Sequence, residues 1–294
     1  MQNNISAKRT YTLVIGIFLV LIALNIIIWT EVLGDEDVSD LQVAFFNVGQ
    51  GDAEFIRSRD GTQILIDGGP DGRMLSELKD HMPYYDRTID VVIATHPHKD
   101  HIAGLIEVLR RYQVDVFVES GAVYSSPEYY ELEKAIEQNG ARRVIVRRPM
   151  RVSFFDGAAL SLLVPLGDFA GATPKNIHDA NIVGVLEFQK KKILLMGDAE
   201  RKSENALLDN KIAQMADVLK VGHHGSKTSS TKSFLSVAQP KYSIISVGKN
   251  SYGHPYQITL DNLKSVGTRI LRTDIDGTII ADIQNGALRI RQQK

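Results

Sequence analysis

Residues 95–104 read T-H-P-H-K-D-H-I-A-G, which places His96, His98, Asp100 and His101 within six positions directly after the apolar run V-V-I-A at 91–94. A short apolar run predicts a buried strand, so these four side chains stand where a strand runs out. Imidazoles and a carboxylate at this density are metal ligands of borderline and hard character. His96 and His98 are two apart and share a side in extended backbone, whereas Asp100 and His101 lie beyond a turn and can face a second ion. The pattern predicts a binuclear metal site.

The chain has eight histidines. Besides these three they fall at His178 in N-I-H-D-A-N, at His223 and His224 in L-K-V-G-H-H-G-S, at His254 in Y-G-H-P, and at His81, read as a surface or helix-end residue. Asp198 ends a second apolar run, I-L-L-M-G-D at 193–198. Several strands thus deliver ligands at their carboxyl ends, where open sheets place their sites. Three strands over 42–48, 53–58 and 62–67, separated by glycine turns, are followed by helices near 74–81, 102–112 and 127–139. Later strands are expected near 114–118, 143–146, 158–164, 181–189, 192–196, 218–221, 242–247 and around Ile270 and Ile279. Interleaved strands and helices with early hairpins imply an α/β (α+β) fold with mixed sheets covered by helices.

The order H-x-H-x-D-H, then G-D, then H-H-G-S resembles the metallo-β-lactamase superfamily. Within it, F-N-V-G-Q-G-D (46–52), L-I-D-G-G (65–69), L-K-V-G-H-H-G-S (219–226) and N-S-Y-G-H-P (250–255) resemble the C-terminal hydrolase domain of ComEC-type competence proteins. The resemblance covers about residues 41–290 and implies a four-layer αββα sandwich with metals along one edge. It also implies that His96 and His98 bind a first metal, Asp100 and His101 a second, and Asp198 bridges them. His223 matches the final ligand as the first histidine after its strand, with His224 the alternative. His178 lies near the place of the third histidine of the first site, and otherwise is a surface-loop residue. The channel of such competence proteins conducts single-stranded DNA inward, and this chain has no room for one.

Asp67 precedes two glycines that let backbone approach the metal loop closely; it is expected to fix a ligand by hydrogen bonds and is grouped with Asp100 and His254 as a catalytic candidate. Gly225 and Ser226, in a small-residue turn opening a helix, can offer backbone N–H groups to a phosphate, with helix capping the alternative. His224 and Asn181 are further candidates for contact with substrate or water, and His254 for donating a hydrogen bond or proton to a phosphoryl oxygen.

The formal net charge of the 294 residues is −1, which excludes a chain-wide basic field for nucleic acid; the one basic cluster, Arg142, Arg143, Arg147, Arg148 and Arg151, reads as a solvated strand edge or a contact for an anionic polymer. There are no cysteines, hence no disulfides, thiolate ligands or cysteine nucleophile. Residues 11–29 are almost wholly apolar, close to the roughly 20 residues a membrane-spanning helix needs. Lys8 and Arg9 precede this span and acidic residues follow it, so it is expected to be a single-pass anchor with residues 1–10 cytoplasmic. Residues 30–40 form an acidic linker, and the hydrolase domain, 41–294, is exported. A signal peptide cleaved after Gly34 is the alternative.

Two divalent cations, zinc from the histidine-rich set or manganese from the carboxylates, suit hydrolysis of a phosphodiester. The expected function is that of an exported, membrane-anchored phosphodiesterase or nuclease acting in DNA uptake or degradation, with DNA as substrate and a separate channel protein as partner. One alternative is a hydrolase of cell-envelope phosphodiesters such as phosphorylcholine, or of an ester or lactam; another is a metal-binding DNA-handling module without turnover.

Overall fold

The computed structural model describes residues 13–27, 39–83, 85–165, 167–212 and 214–293. The chain divides into two units, Met1–Val38 and Ser39–Lys294. Of the first, residues 13–27 are described, and they form a helix, α1, whose side chains are all exposed. No helix among the described residues is long and apolar enough to cross a membrane. The outer residues of the expected anchor (11, 12, 28 and 29), the N-terminal segment 1–10 and linker residues 30–38 lie outside the described residues.

The second unit contains two sheets. The first has eight strands in the order β15-β14-β1-β2-β3-β4-β5-β6, and the second has seven in the order β13-β12-β11-β10-β9-β8-β7. Strands β1 (Leu41–Phe45), β2 (Glu54–Ser58) and β3 (Gln63–Ile66) form an antiparallel meander, after which β4 (Thr88–Ala94), β5 (Gln113–Glu119) and β6 (Arg142–Ile145) add in parallel. In the second sheet β7 (Met150–Ser153), β8 (Ala159–Val164), β9 (Val183–Phe188) and β10 (Lys191–Leu195) pair antiparallel. Then β11 (Val218–Lys220), β12 (Tyr242–Ile245) and β13 (Arg269–Arg272) continue in parallel. Strands β14 (Thr278–Gln284) and β15 (Ala287–Gln293) return to the first sheet beside β1.

Side-chain alternation builds the layers. Leu41, Val43 and Phe45 of β1 join Leu160, Leu186, Ile193 and Val218 in the core between the sheets. Ala44 faces the other way, into the core under helices α2 (Met74–His81), α3 (Lys99–Arg111) and α4 (Pro127–Asn139). The outer face of the second sheet is covered by α5 (Arg201–Asp209), α6 (Lys232–Ala238) and α7 (Gln257–Ser265), through Leu207, Phe234 and Leu263. A fourth short helix, α8 (Thr273–Asp276), precedes β14. The result is the expected mixed sandwich of two sheets between helical layers.

The basic cluster lies along β6, β7 and their connection, on the edge strands of both sheets. Arg143 is ion-paired with Glu119 and Glu133, and Arg147 with Asp168. His81 is not a surface residue. It ends α2 with its ring 5.2 Å from that of Phe46, and its Nδ1 lies 3.1 Å from Gln42 Oε1.

Candidate metal centre

The carboxyl ends of β3, β4, β10, β11 and β12 converge on one edge of the sandwich, because parallel neighbours end together. Asp67 N–H donates to Ile93 O at 2.8 Å and Ile182 N–H to Thr95 O at 3.0 Å, while His223 N–H bonds Gly197 O at 3.0 Å. These bonds tie the loops of the two sheets side by side. His96 lies after β4, His98 stands at the N-cap position of α3 without a capping hydrogen bond, and Asp100 and His101 occupy that helix's first turn. A helix start therefore turns the second pair of ligands away from the first, as the spacing predicted.

His96, His98, His178 and Asp198 have ligand atoms within 4.8 Å of one another, and so do Asp100, His101 and His224. Asp198 stands between the groups. One oxygen, Oδ2, is 3.7 Å from His96 Nε2 and 3.8 Å from His178 Nδ1. The other, Oδ1, is 3.4 Å from the Nε2 atoms of both His101 and His224. His224 Nε2 is also 3.3 Å from Asp100 Oδ2. The Nε2 atoms of His96, His101 and His224, the Nδ1 of His178 and Oδ1 of Asp198 are buried without hydrogen-bond partners. Orphaned polar atoms at a core edge are costly unless something fills the space between them, and a cation pair fits this donor set.

The electrostatics differ between the two groups: burial disfavours charge on His101 and His224, yet the carboxylates facing them, Asp198 first, outweigh it and raise both imidazoles, that of His224 to about 10, so a cation there would displace protons. Burial holds the imidazoles of His96 and His98 below their ordinary value and brings His178 to about 4, keeping them neutral as ligation requires. Burial opposes ionisation of Asp198, yet the facing rings of His224 and His101 outweigh it and hold the carboxyl well below the usual range.

Placement revises several sequence expectations. His178, in the 3-10 turn Ile177–Ala180, joins the first group, its backbone N–H accepted by Asn176 Oδ1. At the tandem histidines it is His224 that stands with Asp100 and His101, rather than His223. Both have left-handed backbone, with φ of 49° and 52°, and this turn sends the second ring inward. His223 instead directs Nδ1 to Glu200 Oε1 at 3.3 Å and Nε2 to Asp198 Oδ2 at 3.6 Å, forming a further group with His178 and Glu200. The His223 ring beside it holds the Glu200 carboxyl down at about 2.

Asp67 has no contact to spare for substrate. It is fully buried, accepting from Thr95 N and Oγ1 at 2.8 and 2.6 Å and standing 2.7 Å from His101 Nδ1. Asn181 is also buried behind the site: its amide donates to Met196 O at 2.9 Å and its Oδ1 accepts from Asp198 N at 2.9 Å, clamping the turn that carries Asp198. Ser226 is spent on the turn through Thr228, 2.9 Å away, and α6 begins only at Lys232, capped by Thr231, so no helix N-terminus stands at Gly225. His254 does reach the rim, 5.5 Å from His223 and 6.3 Å from His224 between ring centres, its pKa brought to about 4 by burial and these two rings.

Three residues at the site were not singled out in the sequence. Glu200 is a helix-cap position two residues past Asp198, and Tyr124 packs its ring 5.3 Å from that of His98. Lys220 carried a readable signal, a charged residue between Leu219 and Val221 in a strand whose three residues are all buried.

The metallo-beta-lactamase superfamily model matches residues 46–249, a span that contains both ligand groups. The chain belongs to the metallo-β-lactamase superfamily. It is 31% identical over 82% of its length to ComE operon protein 3 of Bacillus subtilis, covering 33% of that protein. With Competence protein ComA of Neisseria gonorrhoeae it shares 26% identity over 86% of its length and 34% of the relative's. Both are competence proteins of the ComEC type, and the chain spans about a third of each. Among solved structures, CmlA, a diiron β-hydroxylase from Streptomyces venezuelae, superposes with a TM-score of 0.54 at 15% identity, over 87% of this chain and 55% of CmlA. That likeness shows the fold.

Proposed function

We propose that the chain is a membrane-anchored, exported phosphodiesterase that cleaves nucleic acid, using two divalent cations held by His96, His98, His178 and Asp198 and by Asp100, His101, His224 and Asp198. The observation that carries this reading is the pair of ligand groups sharing the two oxygens of one buried aspartate. When bound, the cations supply Lewis-acid neutralisation of phosphoryl charge and acidify water at neutral pH. Zinc suits the imidazoles, and manganese is the alternative for a thiolate-free set.

The chain's own residues do the rest by holding atoms in place. Asp67 fixes the His101 tautomer through Nδ1, leaving Nε2 toward Asp198. Asn181 holds the Asp198 turn, and the Asn250 amide ties the rim loop by donating to His254 O at 2.9 Å. His254, neutral and at the rim, donates a hydrogen bond to a phosphoryl oxygen. Residues 11–29 anchor the chain with the domain outside the cytoplasm, and a separate channel protein is the natural partner for taking up the strand left uncut. The similarity to competence proteins supports nucleic acid as substrate.

The test is a metal-reconstituted assay of the purified chain against single- and double-stranded DNA, RNA and bis-p-nitrophenyl phosphate. Chelator-sensitive cutting of DNA, with affinity falling steeply as salt rises, is expected, since phosphate contacts release counterions. DNA neither bound nor cut at low salt, while the small diester turns over, would replace this reading with an envelope-phosphodiester hydrolase.

A further inference from the structure

Behind the second ligand group lies an ion pair that the chemistry above does not use. Lys220 Nζ is 2.6 Å from Asp52 Oδ2, and both side chains are 0% exposed. Lys220 also donates to Val221 O at 3.1 Å. Asp52 Oδ1 is turned to His224, 3.2 Å from Nδ1, and the same nitrogen is 2.9 Å from Ser246 O. Nδ1 donates to the Ser246 carbonyl with the Asp52 carboxylate close beside it, so the proton that a bound cation would displace is the one on Nε2, which faces Asp100 and Asp198.

The backbone of Asp52 is docked on the same parts. Its N–H donates to Asp100 O at 3.2 Å and its carbonyl accepts from Gly69 N at 2.8 Å. A Cβ on Gly51, at φ 150°, would stand 2.3 Å from Asp100 O, so only glycine permits this approach. Asp52 is itself no seat for a cation, because an ammonium already occupies its outer oxygen. A buried ion pair is also a poor source of stability, since desolvation offsets its attraction and an apolar pair of similar volume does as well.

We infer that Lys220 and Asp52 are positioning residues for His224, holding its ring so that the second cation has its second imidazole beside His101. The lysine gives the arrangement its direction: with one carboxylate oxygen claimed by Nζ, the other is left for the histidine. An asparagine at 52 would keep its oxygen toward Lys220 and present its Nδ2 donor to a nitrogen that is also a donor. The inference rests on the binuclear reading above.

The experiment is a titration of the metal-free full chain with Co2+, read by visible absorption and by equilibrium binding, with Zn2+ content measured in parallel. The wild type is expected to take two equivalents; fewer than two would overturn the binuclear reading and this inference with it. Asp52→Asn is expected to keep the first equivalent and weaken the second by about 10- to 100-fold, the usual loss when a ligand's supporting group is removed. The paired replacement Asp52→Leu with Lys220→Met removes both charges together, so the fold is left without an unmatched ion. It is expected to melt near the wild type and still bind the second equivalent weakly. If wild type takes two equivalents and either variant matches its second affinity and spectrum, the pair serves the fold alone and the inference is wrong.

Discussion

Replacing Gly104 by alanine sets two physical effects against each other. Gly104 sits inside α3, where alanine gains about 1 kcal/mol of helix propensity over glycine. Its added Cβ, however, would lie 1.9 Å from Gly68 O and 2.7 Å from Asp71 O. Both are backbone atoms, so no side chain can swing aside, and helix and loop must part by about 1 Å before the first contact reaches 3.0 Å. Forced overpacking costs about 1–3 kcal/mol, and a backbone-to-backbone clash belongs at the upper end. The net is about 2 kcal/mol of destabilisation, a fall in Tm of about 4–8 °C for a domain of this size. The same displacement moves the loop of Asp67, whose carboxylate is 2.7 Å from His101 Nδ1, so metal content should fall below that of wild type. Thermal melts and elemental analysis check both. A variant that melts at or above the wild type and keeps full metal would show that propensity wins and that the loop has slack the geometry denies.

Asp198→Asn should lower metal content and abolish phosphodiester cleavage while changing the urea midpoint little; an unchanged rate would remove Asp198 from the site. Asn181→Ala removes the clamp on the Asp198 turn and leaves Asp198 N–H without its 2.9 Å partner; a loss of about 1–3 kcal/mol is expected by denaturant melt, and a neutral result would refute the clamp. Burial, with the Asp52 charge adding to it, lifts the pKa of Glu54 well above the carboxylate range, and its Oε1 has no partner. The folded chain thus keeps a proton that the unfolded chain releases. Stability is full below the ordinary carboxyl pKa and falls as pH rises toward the folded value, by up to about 1.4 kcal/mol per pH unit. Glu54→Gln should flatten that dependence in denaturant melts between pH 5 and 7, and parallel curves for the two proteins would exclude a buried neutral Glu54.

Legibility in the sequence followed locality. The run at 95–104 shows its ligands because a strand end and a helix start are local events, and the helices Met74–His81 and Pro127–Asn139 lie where their apolar spacing places them. Strands β7 and β15 went unread because they are edge strands with charged, exposed alternate positions and no buried run. The choice between His223 and His224 depended on two consecutive left-handed residues, which no periodicity announces in histidines. Asn181 and Ser226 looked available to substrate because polarity in sequence says nothing of which polar atoms the backbone has already taken. The Lys220–Asp52 contact joins positions 168 apart, beyond any local pattern.

The sharing of Asp198 ties the metal centre to closure of the whole sandwich. His96, His98, Asp100 and His101 come from the first sheet's side of the sandwich and Asp198 and His224 from the second's, more than ninety positions later in the chain. Neither half alone assembles either group, and the entropy of bringing such distant segments together is met by burial of the inter-sheet core. On the binuclear reading, full coordination of each cation would therefore wait for a closed chain. The metal bound by a preparation would then count its correctly closed molecules.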